Sequence, residues 1–384
     1  MVSAGYCHTV FLRNDGCAVA CGNDEFGQCA IPPLDVGISY TQVSAGCYHT
    51  VLLRSDGTAT ACGGGRYDFG QCDILPNLEQ GISCTQVSAG EDHTVLLRSD
   101  GNAVAFGGND CRQCNIPLLE IGMSYTQVSA GAYHTVLLRS DGSAVACGND
   151  EFGQCAMPPL DVGISYVQVS AGGSHTVLLR SDGMVVACGL NDDRQCNIPP
   201  LDEGVWYTQV SAGGESTVLL RSDGTAVACG PNFGRLSEVP PLDEGISYVQ
   251  VSAGRFHAVL LRSDGSAVAY GSNSKGQRDI PCLEPGNYYV GDVLLGGDLA
   301  LQLHFIYEEA ATTLTCLNLA GETVLQLNVC GCDLAWDTHK RIARDLNVKL
   351  QSLRVVLPDG RLLAQICVAN PVATVADLTN SSPR

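Results

Sequence analysis

The stretch HTVLLRSDG, at His49 to Gly57, places a histidine near an aspartate, a pairing used in acid–base catalysis and in metal binding. The same nine residues recur at 93–101, 134–142 and 175–183. A metal site needs a few ligands within ~2 Å of one ion, and an active site needs one asymmetric arrangement. Identical residues in units repeated around a common axis lie at different places, so they cannot converge on one ion or one substrate. We therefore predict no catalytic residue, no metal site and no cofactor at these positions.

The repeated polar residues have a simpler structural interpretation. The histidine occurs six times and a serine takes its place once: His8, His49, His93, His134, His175, Ser216 and His257. We interpret the histidine as a local hydrogen-bonding group that fixes the turn between two strands. The aspartates precede a glycine, as in a hairpin turn: Asp15, Asp56, Asp100, Asp141, Asp182, Asp223 and Asp264. The arginine before each of them is expected to be solvated or to bridge neighbouring units.

The cysteines also follow the repeat. One set lies just before the glycine that ends the AVACG-like segment of a unit. A second set directly follows a glutamine of the next loop, eight residues after the first cysteine in most units and ten after it in the second unit. This is not the C-x-x-C spacing of zinc sites, and Cys330 with Cys332 alone makes a weak one. We predict buried free thiols in a reducing compartment.

The repeat predicts the fold. Ser-Ala-Gly triplets mark seven units whose spacings are 41, 44, 41, 41, 41 and 41 residues, and they end at Gly5, Gly46, Gly90, Gly131, Gly172, Gly213 and Gly254. Each unit contains an alternating segment such as YTQVSAG, the apolar run HTVLLR, an Asp-Gly turn and a segment such as AVACG. Three to four short strands in ~40 residues are typical of a β-propeller blade. We predict an all-β, seven-bladed propeller over residues 1–303.

The motif order resembles the regulator of chromosome condensation repeat family. The best-matching units read GCYHTVLLRSDGTATACG and GAYHTVLLRSDGSAVACGNDEFGQC, and the resemblance covers Met1 to about Leu283. The family includes nucleotide exchange factors, modules of ubiquitin ligases, photoreceptors and scaffolds. The photoreceptor of this fold senses ultraviolet light through clustered tryptophans. Only Trp206 and Trp336 are present here, which excludes that function.

The positions where the units differ are the predicted binding surface. Two residues separate each anchor glycine from the histidine position, and in equivalent blades they would gather near one end of the central channel. Variable loops on a rigid scaffold are the usual place for recognition. The candidate partner-binding residues are Tyr6, Tyr48, Glu91, Asp92, Tyr133, Glu215, Arg255 and Phe256.

Two expectations concern the end of the repeat. The segment Tyr288 to Leu295 is a faded copy of the first strand and is predicted to close the ring, since the first unit begins at Val2 without that strand. Residues 312–380 are predicted to form a small α+β domain: a hairpin at 314–329, a helix at 333–348 and two further strands. This order resembles a ubiquitin-like domain, and a β extension of the propeller is the alternative.

The formal net charge of −19, from 21 basic and 40 acidic residues, argues against nucleic-acid binding and favours a protein partner with a basic surface. No apolar run is long enough to span a membrane and no secretory signal is apparent. No enzyme motif such as G-x-S-x-G, H-E-x-x-H or a P-loop occurs.

We therefore expect a non-enzymatic interaction scaffold or adaptor, in the cytoplasm or alternatively the nucleus. The resemblance implies the ubiquitin system, without a catalytic HECT domain. It implies, as the alternative, nucleotide exchange on a Ran-type small GTPase. The 63–69 insertion is the one candidate for the protruding loop that exchange requires.

Overall fold

The computed structural model describes residues 1–64, 68–74, 81–231, 236–284 and 286–291, and beyond them the backbone of four strands. Two units are present, Met1–Asp292 and Val293–Arg384. Within the part that is described, no helix is long and apolar enough to cross a membrane.

The first unit is a seven-bladed propeller in which each blade is a three-stranded antiparallel sheet. Blades 1 to 4 comprise β1 (Val2–Ala4), β2 (His8–Leu12), β3 (Ala18–Gly22), β4 (Tyr40–Ala45), β5 (His49–Arg54), β6 (Ala59–Gly63), β7 (Cys84–Ala89), β8 (His93–Arg98), β9 (Ala103–Gly107), β10 (Tyr125–Ala130), β11 (His134–Arg139) and β12 (Ala144–Gly148). Blades 5 to 7 comprise β13 (Tyr166–Ala171), β14 (His175–Arg180), β15 (Val185–Gly189), β16 (Tyr207–Ala212), β17 (Thr217–Arg221), β18 (Ala226–Cys229), β19 (Tyr248–Ala253), β20 (His257–Arg262) and β21 (Ala267–Gly271).

The continuous apolar run of each middle strand is explained by its position between two neighbouring blades. In β5, Val51 and Leu53 pack in a cluster with residues of blade 3, whereas Leu52 packs with residues of blade 1. Successive side chains of a strand point to opposite faces, so a strand covered on both faces needs apolar residues throughout. The hairpin turn that follows each middle strand uses glycine because its backbone there has a positive φ angle, for example 81° at Gly142 after β11.

The Ser-Ala-Gly triplets form two closed rings of hydrogen bonds between blades. The N–H of the residue after each anchor glycine donates to the carbonyl of the next blade's anchor glycine at 3.0 to 3.2 Å, all the way from Tyr6 to Arg255 and back to Gly5. The alanine N–H of each blade donates to the serine Oγ of the preceding blade, at 2.9 Å in all seven cases. The triplet therefore joins the blades around the axis.

The anchor glycines are required by this close approach. A Cβ on Gly131 would lie 2.5 Å from the Gly172 carbonyl oxygen and 2.7 Å from Cε1 of His134. We expect Gly131→Ala to lower the free energy of unfolding by about 2 to 3 kcal/mol, because one blade junction is forced apart. Urea denaturation followed by circular dichroism measures it. Gly291→Ala is the control, since its Cβ would meet only Leu261 Cδ2 at 3.6 Å; equal losses in the two variants would contradict the explanation.

The repeated histidines join one blade to the next, which corrects the expectation of a bond within each blade's own turn. Each His Nε2 lies 2.7 to 3.0 Å from the threonine Oγ1 of the following blade. That hydroxyl donates to the backbone carbonyl of the loop glutamine of the histidine's own blade, at 2.7 to 2.8 Å. The hydroxyl has one proton and donates it to that carbonyl, so it must accept from the histidine. Nε2 therefore carries the ring proton, and Nδ1 is unprotonated and has no hydrogen-bond partner.

The junction between blades 6 and 7 has lost this network as a unit. Ser216 replaces the histidine, Ala258 replaces its threonine partner, and Leu236 stands at the position of the loop glutamine. Leu236 and Ala258 are buried in one apolar cluster with Tyr270, which replaces the strand cysteine. Removing one partner alone would leave a buried polar group unsatisfied, whereas removing both is tolerated. The paired replacement supports the structural role of the histidines.

Blade 1 shows how the ring closes. Tyr289 pairs with Arg13, the equivalent of the Tyr40 and Arg54 pair in blade 2. Val290 N–H donates to the Leu12 carbonyl at 3.1 Å, and Leu12 N–H donates to the Met1 carbonyl at 2.7 Å. The inner strand of blade 1 is therefore split between residues 288–290 and β1, with the Met1 thioether in place of a glutamine amide against Val43 N–H. Residues 292–295 of the predicted closing segment lie outside the described residues.

The described residues of the second unit form a four-stranded sheet in the order β24-β23-β22-β25, made of β22 (Leu299–Glu308), β23 (Ala311–Leu317), β24 (Thr323–Val329) and β25 (Leu353–Val356). β23 and β24 pair antiparallel over the predicted hairpin, and β22 pairs in parallel with β25. Residues 299–303, assigned above to the propeller, belong to this sheet because β22 pairs with β23. The predicted helix at 333–348 lies outside the described residues, and the ubiquitin-like assignment stays a prediction.

Candidate functional site

The end of the channel at the anchor glycines, here called the mouth, is asymmetric. Its rim consists of the seven residues that follow the anchors: Tyr6, Cys47, Glu91, Ala132, Gly173, Gly214 and Arg255. Blades 5 and 6 present the glycines Gly173 and Gly214, while blades 7, 1 and 3 present large or charged side chains. The framework of the blades repeats, whereas the residues around the mouth differ from blade to blade, and variable loops on a rigid scaffold are the usual place for recognition.

Four aromatic rings form a continuous arc along one side of the mouth. Tyr6 stacks on Tyr48 with ring centroids 6.0 Å apart, and it meets Phe256 edge-on at 5.3 Å. Tyr48 in turn meets Phe26 edge-on at 5.1 Å. Offset and edge-to-face pairs hold such rings rigidly, so the arc is a preformed apolar contact surface.

A charged contact crosses the mouth from blade 7 to blade 3. The Arg255 guanidinium lies over the Tyr6 ring, 4.6 Å from its centroid, and 5.4 Å from that of Phe256. Its NH1 atom is 3.9 Å from Oε2 of Glu91. The hydroxyl of Tyr133 donates to the other carboxylate oxygen of Glu91 at 3.0 Å, and burial together with Glu91 raises the pKa of Tyr133 to about 12. Glu91 is therefore held by a neutral donor on one side and a cation on the other.

The structure brings together six of the eight candidate residues: Tyr6, Tyr48, Glu91, Tyr133, Arg255 and Phe256. Asp92 is half-buried beside them, and burial followed by repulsion from Glu91 raises its pKa to about 6. Glu215, on blade 6, takes part in none of these ring or charge contacts among the described residues.

Sequence reasoning missed Phe26. It belongs to the NDEFGQ loop of blade 1, which follows the third strand and so returns to the end of the blade where the mouth lies. The same loop carries Phe152 in blade 4, where the ring is 46% exposed. Topology was the available signal, because a loop after a strand that runs toward the mouth must end beside it.

The polar groups of the propeller offer no site for a metal among the described residues. The sixteen cysteines there are all free. Burial raises the pKa of the Cys155 and Cys196 thiols to about 11, so at neutral pH they are protonated and weakly reactive. The histidines are equally inert, since burial lowers the pKa of His175 to about 3.

These features define a rigid propeller whose variable side chains converge at one end of the channel. Five of its segments, residues 2–28, 84–113, 125–154, 166–195 and 248–277, match the sequence model of the Regulator of chromosome condensation (RCC1) repeat. The chain is a seven-bladed propeller that carries this repeat in five segments, which confirms the resemblance expected from its motifs.

Solved structures of low sequence identity have the same fold. Prp20p from Saccharomyces cerevisiae, a protein that binds Gsp1p and histones, matches with a TM-score of 0.57 at 20% identity, over 66% of this chain and 80% of that one. The ectodomain of the Arabidopsis thaliana receptor kinase ACR4 matches with a TM-score of 0.55 at 19% identity, over 72% and 95%. Human WBSCR16 matches with a TM-score of 0.55 at 18% identity, over 67% and 85%. A search of curated protein sequences found no match.

Proposed function

We propose that this protein is a non-enzymatic protein-binding scaffold that takes its partner at the mouth of the propeller. One observation carries the proposal. All seven blades share the Ser-Ala-Gly triplet that joins them, and they differ at the two positions beside the mouth, where the aromatic arc and Glu91 gather. Clustered aromatic anchors with a polar rim are typical of binding hot spots.

The proposed partner presents a basic surface. The formal net charge of −19 attracts cations over a long range, and the Glu91 carboxylate lies near Tyr6 and Tyr48 of the aromatic arc, with Asp92 close to Glu91. The binding of histones by Prp20p, a propeller of the same fold, agrees with a basic partner. We propose the cytoplasm or the nucleus as the compartment of this protein, and the free thiols of the described residues agree with a reducing environment.

Purified core histones provide the direct test. Biolayer interferometry at physiological salt should show binding to the full chain, and Tyr48→Ala should weaken it about tenfold because an aromatic anchor is lost. Glu244→Gln, in an exposed loop away from the mouth, is the control for general charge attraction. Histone affinity that is unchanged by Tyr48→Ala and Glu91→Gln would rule out the mouth as the binding surface.

Two finer assignments rest on the fold alone. Nucleotide exchange on a Ran-type GTPase is suggested by the binding of Gsp1p by Prp20p. Accelerated release of a fluorescent nucleotide from the GTPase, abolished by Tyr48→Ala, would establish it. An adaptor role in the ubiquitin system depends on the second unit, and pull-down of a purified ubiquitin-conjugating enzyme with the full chain tests it.

A further inference from the structure

The position of Arg255 indicates what kind of group the mouth accepts. Its guanidinium rests on the face of Tyr6 and beside Phe256, and it points across the mouth toward Glu91. An aromatic face with a carboxylate beyond it is the arrangement that binds a planar cation. The Arg255 side chain therefore shows that a guanidinium fits the space between the Tyr6 ring and the Glu91 carboxylate, which is called the seat below.

Arg255 fills the seat imperfectly. Its side chain starts from blade 7, and its NH1 atom reaches only to 3.9 Å from Glu91, which is too long for a hydrogen bond. Its Nε atom is buried and has no hydrogen-bond partner among the described residues. The side chain is 34% exposed, whereas that of Glu91 is 18% exposed. A guanidinium arriving from solvent has no tether to blade 7 and can approach the carboxylate closely enough for a two-point, charge-assisted bond.

We propose that the mouth binds an arginine side chain of a partner protein, and that Arg255 is an internal placeholder that this arginine displaces. The proposal rests on the function proposed above and specifies its partner: a protein segment with an exposed arginine, docked between Tyr6 and Glu91. The placeholder lowers the apparent affinity, because the seat is competent only while Arg255 is away from it.

The experiment uses a fluorescein-labelled (Arg-Gly)4 peptide and the full chain, with binding followed by fluorescence anisotropy. Arg255→Gln is expected to tighten binding about fivefold. A modest cation–aromatic contact would keep Arg255 between Tyr6 and Glu91 about four-fifths of the time, so the site is free for the peptide only about one-fifth of the time. Tyr6→Leu and Glu91→Gln are expected to weaken binding about tenfold, since each removes one side of the seat.

Two controls separate this seat from general charge attraction. Arg180→Gln changes the net charge by the same amount at a hairpin far along the strand, where Arg180 pairs with Asp161 and Asp182, and it should change the affinity less than twofold. A (Lys-Gly)4 peptide should bind Arg255→Gln more weakly than (Arg-Gly)4, because an ammonium cannot make the planar two-point contact.

Weaker or unchanged binding of (Arg-Gly)4 by Arg255→Gln, or equal binding of the two peptides, would overturn the placeholder. If Tyr48→Ala still weakens histone binding in that case, the mouth remains a binding surface and only the arginine seat is wrong. If neither assay responds to changes at the mouth, both proposals fail.

Discussion

Lowering the pH from 6.5 to 5.5 is expected to remove about 6 kcal/mol from the free energy of unfolding of the propeller, because each of six buried histidines contributes about 1 kcal/mol as its imidazole in the unfolded chain goes from about half to about nine-tenths protonated. Burial lowers the pKa of His8, His93, His175 and His257 to about 3 and that of His49 and His134 to about 4. A loss of this size is comparable to the whole stability of an ordinary domain, so the propeller should unfold in mild acid.

The direction follows from which state binds protons. In the folded propeller these imidazoles stay neutral until the pH approaches 4, whereas in the unfolded chain they are protonated below about 6.5. The unfolded state therefore binds more protons than the folded state, about three more at pH 6.5 and about five more at pH 5.5, and stability falls as the pH falls. Asp92, whose pKa is raised to about 6, titrates in the opposite sense and offsets a small part as a single group.

Urea denaturation at a series of pH values measures this effect, since the slope of the unfolding free energy against pH counts the protons taken up. A variant with two of the replacements found at the junction between blades 6 and 7, His134→Ser with Thr176→Ala, removes one histidine together with its partner. Its slope should be smaller by about one sixth. A slope near zero between pH 6.5 and 5.5 in the unaltered protein would contradict the buried, neutral histidines.

Replacing Tyr289 by alanine is expected to lower the free energy of unfolding by about 4 kcal/mol, the usual cost of removing a buried aromatic ring. Tyr289 is 3% exposed, packs on Phe11 with centroids 4.7 Å apart, and donates its hydroxyl proton to the Pro281 carbonyl at 2.6 Å. It holds the half-strand that completes blade 1. The loss should therefore affect the whole ring, in one transition of the thermal melt.

Tyr288→Ala is the matched control, because the Tyr288 side chain is 46% exposed whereas the neighbouring Tyr289 faces the core.

A chain that ends after residue 285 should fail to close the ring, whereas one that ends after residue 292 keeps the half-strand. A truncation at 285 with an unchanged melting temperature would show that β1 suffices to close blade 1.

The blades themselves were predictable from the amino-acid sequence because they depend on neighbours along the chain. Alternation in YTQVSAG, the apolar run HTVLLR and the Asp-Gly turn specify strands and a hairpin locally, and their recurrence implies the ring. The candidate surface followed from the same comparison of units, since equivalent positions in a ring lie at one end. Repetition also showed that the histidines could not form a single metal or catalytic centre.

The contacts between blades could be seen only in the tertiary structure. That His134 bonds to Thr176 rather than within its own turn depends on how adjacent sheets face each other, which periodicity does not encode. Comparison of the units predicted that the segment from Tyr288 closes the ring, but only the tertiary structure showed that residues 288–290 and β1 share one strand position, with Met1 and Tyr289 far apart in the sequence and both beside β2. At the mouth, the sequence by itself determined which side chains gather there. The tertiary structure decided that Phe26 joins them and that Arg255 reaches Glu91, because such pairings depend on the direction of each side chain across the closed ring.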